Sequence, residues 1–195
     1  MSTNKGNIIF LTGKMASGKS TFAKAYAEEI NAIVLSEDKI LESLFSEEIK
    51  TIQDYVLYSN KIKDFIIDIV KTLVNKNIHV ILDFPGNTIK QRAWFKNIIK
   101  ETKANHQLIF LDIDDETCLK QLLKRSSELP SRNHFDTKET FYQLKTFFQE
   151  PTDDEGFNIK VYNKIPSKLS VRGSNLSWNA IFFYNKPLYV AFFCL

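Results

Sequence analysis

A run of eight residues near the N-terminus has the composition and spacing of a phosphate-binding loop. Its letters, GKMASGKS, match the pattern G-x-x-x-x-G-K-[ST]. Glycines at the two fixed positions let successive backbone N–H groups turn toward an anion, and the lysine and the hydroxyl add a positive charge and a metal ligand. The residues predicted to contact ATP are Gly13, Lys14, Met15, Ala16, Ser17, Gly18, Lys19, Ser20 and Thr21.

The last three residues of this set would have separate roles. Lys19 can reach the β- and γ-phosphates, the Ser20 hydroxyl can bind Mg²⁺, and Thr21 can donate to the α-phosphate. The alternative is a glycine-containing turn that binds nothing. An apolar strand at 8–12 and an amphipathic helix at 19–30 favour the phosphate site, because the motif requires this context.

Asp83 is the candidate second metal ligand. It ends the apolar run 78–82, which is the Walker-B position opposite a phosphate loop, and it could hold Mg²⁺ directly or through water. An aspartate that only begins an ordinary loop is the alternative. Phe84 and Pro85 follow, where ATPase motors usually place a glutamate that activates water. The sequence therefore favours transfer of a phosphoryl group to a bound acceptor over vigorous ATP hydrolysis.

The first 162 residues alternate short apolar runs with longer amphipathic ones, which predicts a parallel α/β sheet. The predicted strands are 8–12, 32–35, 78–82, 107–113 and 159–162. The predicted helices are 19–30, 38–45, 51–75, 116–124, 137–148, and one that begins at the cap Thr88 and runs to about Thr102. The expected fold is a three-layer α/β/α sandwich with a mainly parallel five-stranded sheet.

Several segments carry a resemblance to the P-loop, kinase-like ATPases of the AAA_33 type. They are GKMASGKSTFAKA, LSEDKILESLF, VILDFPGNT with QRAWF, FLDIDDETCLKQLLKR, and EPTDDEGFN. That group looks related to polynucleotide 5′-hydroxyl kinases, zeta toxins and antibiotic phosphotransferases. The resemblance covers about residues 8–162 and implies a nucleoside-kinase-like P-loop NTPase fold that binds ATP, while the acceptor stays open.

Asp38 is the candidate base. It matches the aspartate that, in members of the wider group, follows the second strand and accepts a proton from the acceptor hydroxyl. A carboxylate at that strand end also faces the ligand crevice of an open α/β sheet. Alternatively, Ser36 or Asp38 only caps the next helix, and Glu37 is a first-turn charge. Many relatives have an arginine where this chain has Leu41, which weakens the case for their phosphate-rich or polynucleotide acceptors.

Arg125 is the second residue that the resemblance implicates. Its position after the fourth strand's helix matches that of a lid arginine, which would contact ATP and neutralise charge between the β- and γ-phosphates. Lys124 and Arg132 lie nearby, and a solvated basic loop is the alternative. The polar segment 125–135, which contains Pro130, is expected to be a mobile loop.

Other polar and aromatic residues give weaker signals. Residues after the third strand either border an acceptor pocket or form a helix cap and an ordinary amphipathic helix; they are Asn87, Thr88, Gln91, Arg92 and Trp94. His79 and His106 are expected to be structural, and Cys118 a small buried residue. His134 has no partner at metal-ligand spacing, so a metal role is not expected.

Charge and composition divide the chain near Tyr162. The 26 basic and 23 acidic residues give +3, but residues 163–195 hold four basic residues and no acidic one, so residues 1–162 hold 22 and 23 and carry −1. The expected organisation is a P-loop domain at 1–162 and an aromatic tail at 163–195. The tail could form a hairpin at 180–193, bind a protein partner, be disordered, or be a non-native end.

The cysteines and the apolar runs of the sequence indicate where in the cell the protein is located. Cys118 and Cys194 cannot by themselves form a zinc site or a disulfide framework. No signal peptide is visible, and no apolar run approaches the ~18 residues of a membrane span. We therefore expect a cytoplasmic protein that does not contact membranes.

Three functions compete at this stage. The leading one is an ATP- and Mg²⁺-dependent phosphotransferase acting on a hydroxyl of a small molecule or nucleotide. The second is an ATP-dependent switch or binding module. The third is a polynucleotide 5′-hydroxyl kinase, which ranks last because the first 162 residues lack the broad positive charge that nucleic-acid binding favours.

Overall fold

The computed structural model describes residues 5–128 and 136–164. A five-stranded sheet lies at its centre, with strands β1 (Ile8–Gly13), β2 (Ala32–Ser36), β3 (His79–Asp83), β4 (His106–Leu111) and β5 (Ile159–Tyr162). The spatial order is β2-β3-β1-β4-β5, and every neighbouring pair is parallel. The carboxyl ends of β1, β2 and β3 therefore lie side by side, which is where an open α/β sheet binds its ligands.

Within the described residues, six α-helices connect and cover these strands. They are α1 (Lys19–Ile30), α2 (Glu37–Phe45), α3 (Ile52–Asn75), α4 (Ile89–Thr102), α5 (Asp115–Glu128) and α6 (Lys138–Lys145). Thr51 and Thr88 begin α3 and α4 with reciprocal capping boxes, in which each threonine hydroxyl accepts from the third helical N–H. The cap predicted at Thr88 is confirmed.

Alternation along each strand builds two separate cores. In β1, Ile8 and Phe10 join a cluster on one face, to which α2, α3 and α4 contribute. Ile9 and Leu11 join the cluster on the other face, to which α1, α5 and α6 contribute. All six residues of β1 are buried, because this strand is covered on both faces. The predicted three-layer sandwich is confirmed.

Several predicted boundaries are wrong, among them that of the helix predicted at 137–148, which is α6 (Lys138–Lys145). The fourth strand, predicted at 107–113, is β4 (His106–Leu111), and its pairing with both neighbours ends at Leu111. Helix α5 continues to Glu128, so Arg125 lies inside the helix and not at the start of a loop. Leu122 on the buried face of α5 packs in the core.

The remaining predictions about organisation fall mainly on residues that the structure does not describe. Strand β5 ends at Tyr162, and the described chain ends two residues later at Lys164. The tail at 165–195 and the segment at 129–135 lie outside the described residues, so the division into domain and tail stays a prediction. Within the described residues, no helix is both long and apolar enough to cross a membrane.

Candidate active site

The turn between β1 and α1 has the backbone geometry of an anion cradle. Gly13 has φ 149° and Gly18, which precedes α1, has φ 89°; both are conformations that favour glycine. A Cβ at Gly13 would meet Ser17 Oγ at 2.7 Å and the Leu111 carbonyl oxygen at 2.8 Å. Only glycine fits at that position without displacing its neighbours.

Ser17 provides an independent sign that the cradle is built for a ligand. Its side chain is fully buried, yet its Oγ has no hydrogen-bond partner. Buried hydroxyls in proteins are normally paired, because an unmade hydrogen bond costs free energy. A phosphate oxygen bound in the loop would supply the missing partner, so the loop fits the group that its sequence implies.

The side chain of Lys19 folds back over the loop. Its Nζ donates to the carbonyl oxygens of Gly13 at 2.6 Å and Lys14 at 2.9 Å. Burial lowers the pKa of Lys19 to about 8, and the charges of Asp83 and Asp38 only partly offset that effect. Lys19 is thus placed over the cradle, in the electrostatic range of both predicted carboxylates.

Asp83 occupies the strand end next to the phosphate loop. It is the last residue of β3, pairs in register with Ser36 of β2, and accepts a long hydrogen bond of 3.5 Å from the Ser36 hydroxyl. Of the charged groups acting on the Lys19 pKa, Asp83 has the largest effect. Ser20, at the start of α1, is exposed and accessible to a ligand.

The Ser20 hydroxyl and the Asp83 carboxylate are the kind of oxygen ligands that Mg²⁺ has in phosphate-binding sites. Among residues 5–128 and 136–164, no three His, Cys, Asp or Glu side chains form a metal-binding group. Mg²⁺ is commonly coordinated by one or two protein oxygens together with substrate phosphates and water. Ser20 and Asp83 are the residues that could hold it here.

The segment after Asp83 is fixed against β1 and α4. The Gly86 carbonyl accepts from the Thr12 hydroxyl at 2.8 Å, and a Cβ on Gly86 would meet the Leu11 carbonyl oxygen at 2.8 Å. Phe84 is buried and packs on Trp94, with ring centroids 5.0 Å apart. This packing holds the loop that carries Asp83 close to the phosphate cradle.

Arg92 has a structural position that the sequence did not reveal. It is fully buried and pairs with Glu155 through two hydrogen bonds, of 2.8 Å and 2.6 Å. It also donates to the carbonyl oxygens of Gly86 at 3.0 Å and Gln149 at 2.8 Å. Arg92 therefore ties the loop after β3 to the segment before β5, and the suggestion that it borders an acceptor pocket is wrong.

Asp38 lies at the start of α2, one strand further from the cradle than Asp83. Its side chain is exposed, whereas that of the preceding Glu37 is buried. Glu37 accepts from the Tyr55 hydroxyl at 2.6 Å and from the Ser59 hydroxyl at 2.7 Å. Tyr55 also lies 3.3 Å from Asp38 Oδ1. From the sequence alone, Glu37 was considered only as a first-turn charge and Tyr55 was not singled out, so this cluster was missed.

Arg125 lies near the phosphate cradle. It lowers the pKa of Lys19 further, which places it within electrostatic range of the loop. Its guanidinium makes a bidentate pair with the buried Asp136, with both hydrogen bonds at 2.7 Å. A role in contacting phosphate stays a prediction, and the nearby Arg132 lies outside the described residues.

Lys14 and the remaining singled-out residues are placed as follows. Lys14 pairs with Asp115 at the start of α5, and Asp115 also pairs with Lys145 of α6. Cys118 is buried, as expected, and burial raises the pKa of its thiol to about 11. His106 Nε2 accepts from a backbone N–H at 3.3 Å, in agreement with a structural role. His134 lies outside the described residues.

The fold and this cradle define a class of protein. A parallel sheet in the order β2-β3-β1-β4-β5, with a phosphate loop after β1 and an aspartate ending β3, is a kinase-like P-loop fold. The residues 8–151 match the family AAA_33, described as an AAA domain. The chain belongs to the AAA_33 family.

A curated relative and two solved structures are similar to this chain. The L-seryl-tRNA(Sec) kinase of Methanococcus maripaludis is 29% identical over 146 residues, covering 69% of this chain and 54% of the relative. The chain thus spans about half the length of that relative.

Two solved structures share the fold. The APS kinase CysC of Mycobacterium tuberculosis, solved with AMPPNP and APS, has a TM-score of 0.60 at 15% identity and covers 87% of this chain and 94% of its own. A proposed kinase of Chloroflexus aurantiacus has a TM-score of 0.66 at 14% identity, covering 88% and 97%.

Proposed function

We propose that this protein transfers the γ-phosphoryl group of ATP to a hydroxyl group of a small molecule or nucleotide. The observation that carries the proposal is the convergence of three groups at the carboxyl ends of neighbouring strands. Lys19 lies over the phosphate cradle, and Asp83 and Asp38 both act on its pKa. A cation for the phosphates, a metal ligand and a base are the groups that phosphoryl transfer to a hydroxyl needs.

Each group then has a definite task. Lys19 exchanges the carbonyl oxygens of Gly13 and Lys14 for the β- and γ-phosphates of ATP. Ser20 and Asp83 would hold Mg²⁺, which when bound would neutralise charge on the phosphates. Asp38 orients the acceptor hydroxyl and accepts its proton. Arg125 adds positive charge once it reorients from Asp136 toward the phosphates.

A bound acceptor, and not water, is the favoured target of the phosphoryl group. The residue after Asp83 is Phe84, whose ring is buried against Trp94 and cannot activate water. Asp38, in contrast, is exposed at the ligand edge of the sheet. An exposed carboxylate beyond the metal ligand suits a second substrate that enters from solvent.

The proposal can be tested by measuring ADP release from the full chain with Mg²⁺ and ATP. The protein would be incubated with and without a library of hydroxyl-bearing metabolites and nucleotides. We expect a low basal rate and a marked increase with particular acceptors, and Asp38→Asn should abolish the increase. Equal, appreciable turnover in every well would contradict phosphotransfer to a bound acceptor.

A seryl-tRNA is the second candidate acceptor, favoured by the name of the Methanococcus maripaludis relative. Against it stand the near-neutral charge of residues 1–162 and the match to only about half of that relative. The library should therefore include free serine and seryl-tRNA. Phosphoserine formed only from seryl-tRNA, with binding that weakens steeply as salt rises, would establish the RNA acceptor.

The alternative of an ATP-dependent switch makes a different prediction. A switch needs ATP binding and a conformational response but no base. The Asp38→Asn variant should then keep its activity in cells, whereas a phosphotransferase should lose it.

A further inference from the structure

The carboxylate beside Asp38 is the most unusual charged group outside the phosphate cradle. Glu37 is 1% exposed, and the charges of Asp38 and Lys63 act on it. Burial raises the pKa of Glu37, while hydrogen bonds from Tyr55 and Ser59 oppose that rise. A buried acid of this kind, next to an exposed carboxylate, can take part in proton transfer as well as in folding.

Tyr55 connects the two carboxylates. Its hydroxyl lies 2.6 Å from Glu37 Oε2 and 3.3 Å from Asp38 Oδ1. A hydroxyl has one hydrogen to donate and can also accept, so it can donate to one carboxylate while it accepts from the other when that one is protonated. The shorter distance places the Tyr55 hydrogen on the Glu37 side.

We propose that Asp38, Tyr55 and Glu37 form one hydrogen-bonded chain that shares a single proton, with Tyr55 and Glu37 acting as positioning residues for Asp38. The inference rests on the proposed function, because it assigns Asp38 as the base. Asp38 takes the proton from the acceptor hydroxyl, and its new O–H donates to the Tyr55 oxygen. The Tyr55 O–H either stays intact and goes on donating to Glu37, or its proton passes to Glu37 while the Asp38 proton moves onto the Tyr55 oxygen. In both cases Tyr55 stays neutral and the two carboxylates hold one added proton, while the acceptor oxygen forms its bond to the γ-phosphorus and ADP leaves.

Two lysines act on the carboxylates of this hydrogen-bonded chain. Lys63, from α3, acts on Glu37 and favours its ionised form. Lys19 lies within electrostatic range of Asp38, whose charge raises the pKa of Lys19. The two carboxylates should therefore titrate as a coupled pair and not as independent groups.

The test uses ¹³C NMR of labelled carboxyl groups in the free, full-length protein. In the wild type, the Asp38 carbon should titrate in two steps, with the upper step at the midpoint of Glu37. Tyr55→Phe keeps the ring and removes only the linking hydroxyl, so it should reduce the upper step to less than half. Ser59→Ala is the matched control, because it removes the other hydrogen bond to Glu37 without touching Asp38, and it should keep both steps.

Kinetics provide the second readout once an acceptor is known. Tyr55→Phe should lower kcat about tenfold and leave the KM for ATP within about twofold, because the variant weakens proton acceptance by Asp38 and leaves ATP binding unchanged. A single Asp38 step that is identical in the wild type and in Tyr55→Phe would overturn the inference. Two coupled steps in a protein that phosphorylates no acceptor would instead contradict the proposed function and leave the proton sharing intact.

Discussion

Replacing Arg92 with methionine should destabilise the protein strongly and in a pH-dependent way. The side chains of Arg92 and Glu155 are 0% and 7% exposed, and the two hydrogen bonds between them measure 2.6 Å and 2.8 Å. Methionine has a similar length but cannot donate. The variant leaves a buried carboxylate without its cation and removes donors from the carbonyl oxygens of Gly86 and Gln149.

The loss in the free energy of unfolding is set by the free energy needed to protonate Glu155. Burial raises the pKa of this carboxyl, but the hydrogen bonds from Arg92 and from the Thr152 backbone N–H, with the charges of Arg92 and Lys96, outweigh it and hold the pKa below its usual range. Without Arg92, Glu155 can avoid a buried charge only by taking a proton. Protonating a carboxyl with an ordinary pKa of about 4.3 costs about 1.36 kcal/mol for each pH unit above that pKa. At pH 7 the cost is therefore about 3.7 kcal/mol.

The sign of the pH dependence follows from the same pair. In the wild type the pKa of Glu155 is lowered, so its stabilisation is present above pH ~4.3 and is lost as pH falls through the folded-state pKa. In Arg92→Met we expect that pKa to be raised, so the variant loses stability as pH rises. The difference between the two proteins should grow by about 1.4 kcal/mol per pH unit between pH 5 and pH 7.

Urea unfolding followed by circular dichroism, at pH 5, 6 and 7, measures this difference. We expect a loss of about 4 kcal/mol at pH 7, which corresponds to a fall in Tm of roughly 10 °C. The matched control adds Glu155→Gln to Arg92→Met, which removes the unpaired charge and should recover much of the loss and most of its pH dependence. A loss below about 1 kcal/mol, or one that does not change with pH, would refute the reasoning.

Three further predictions concern the phosphate cradle. Because the pKa of Lys19 is about 8, ATP affinity measured by calorimetry should fall about tenfold between pH 7 and pH 9, and Lys19→Arg should remove this dependence. Ser17→Ala removes an unpaired buried hydroxyl, so it should change the free energy of unfolding by less than about 0.5 kcal/mol yet weaken ATP binding several-fold. Gly13→Ala should cost about 2 kcal/mol or more in urea unfolding, since its Cβ would meet the Leu111 carbonyl oxygen at 2.8 Å. Equal ATP affinity at both pH values, unchanged ATP binding in Ser17→Ala and wild-type stability in Gly13→Ala would each contradict the geometry.

Local patterns were sufficient to predict the strands, most helices and the phosphate loop. An apolar strand, a glycine-bounded turn and an amphipathic helix are properties of neighbouring residues, so 8–30 could be assigned from sequence alone. The cap at Thr88 could be predicted for the same reason.

Contacts between distant residues could not be predicted in this way. Arg92 and Glu155 are 63 positions apart, and nothing near either residue shows that they pair. Arg125 was expected in a loop, but it lies in α5 and pairs with the buried Asp136. The sequence Ser-Glu-Asp does not show that the Glu37 carboxylate is buried and the Asp38 carboxylate is exposed, which is why Glu37 was overlooked.

The most direct test of the account follows the fate of the γ-phosphoryl group. ATP labelled in that group would be supplied with Mg²⁺ and the acceptor that stimulates ADP release most, and organic phosphate ester would be separated from inorganic phosphate. We predict that the wild type places most of the label in the ester, and that Asp38→Asn loses ester formation while it still binds ATP. Label recovered entirely as inorganic phosphate, at equal rates in both proteins, would contradict a phosphotransferase with Asp38 as its base.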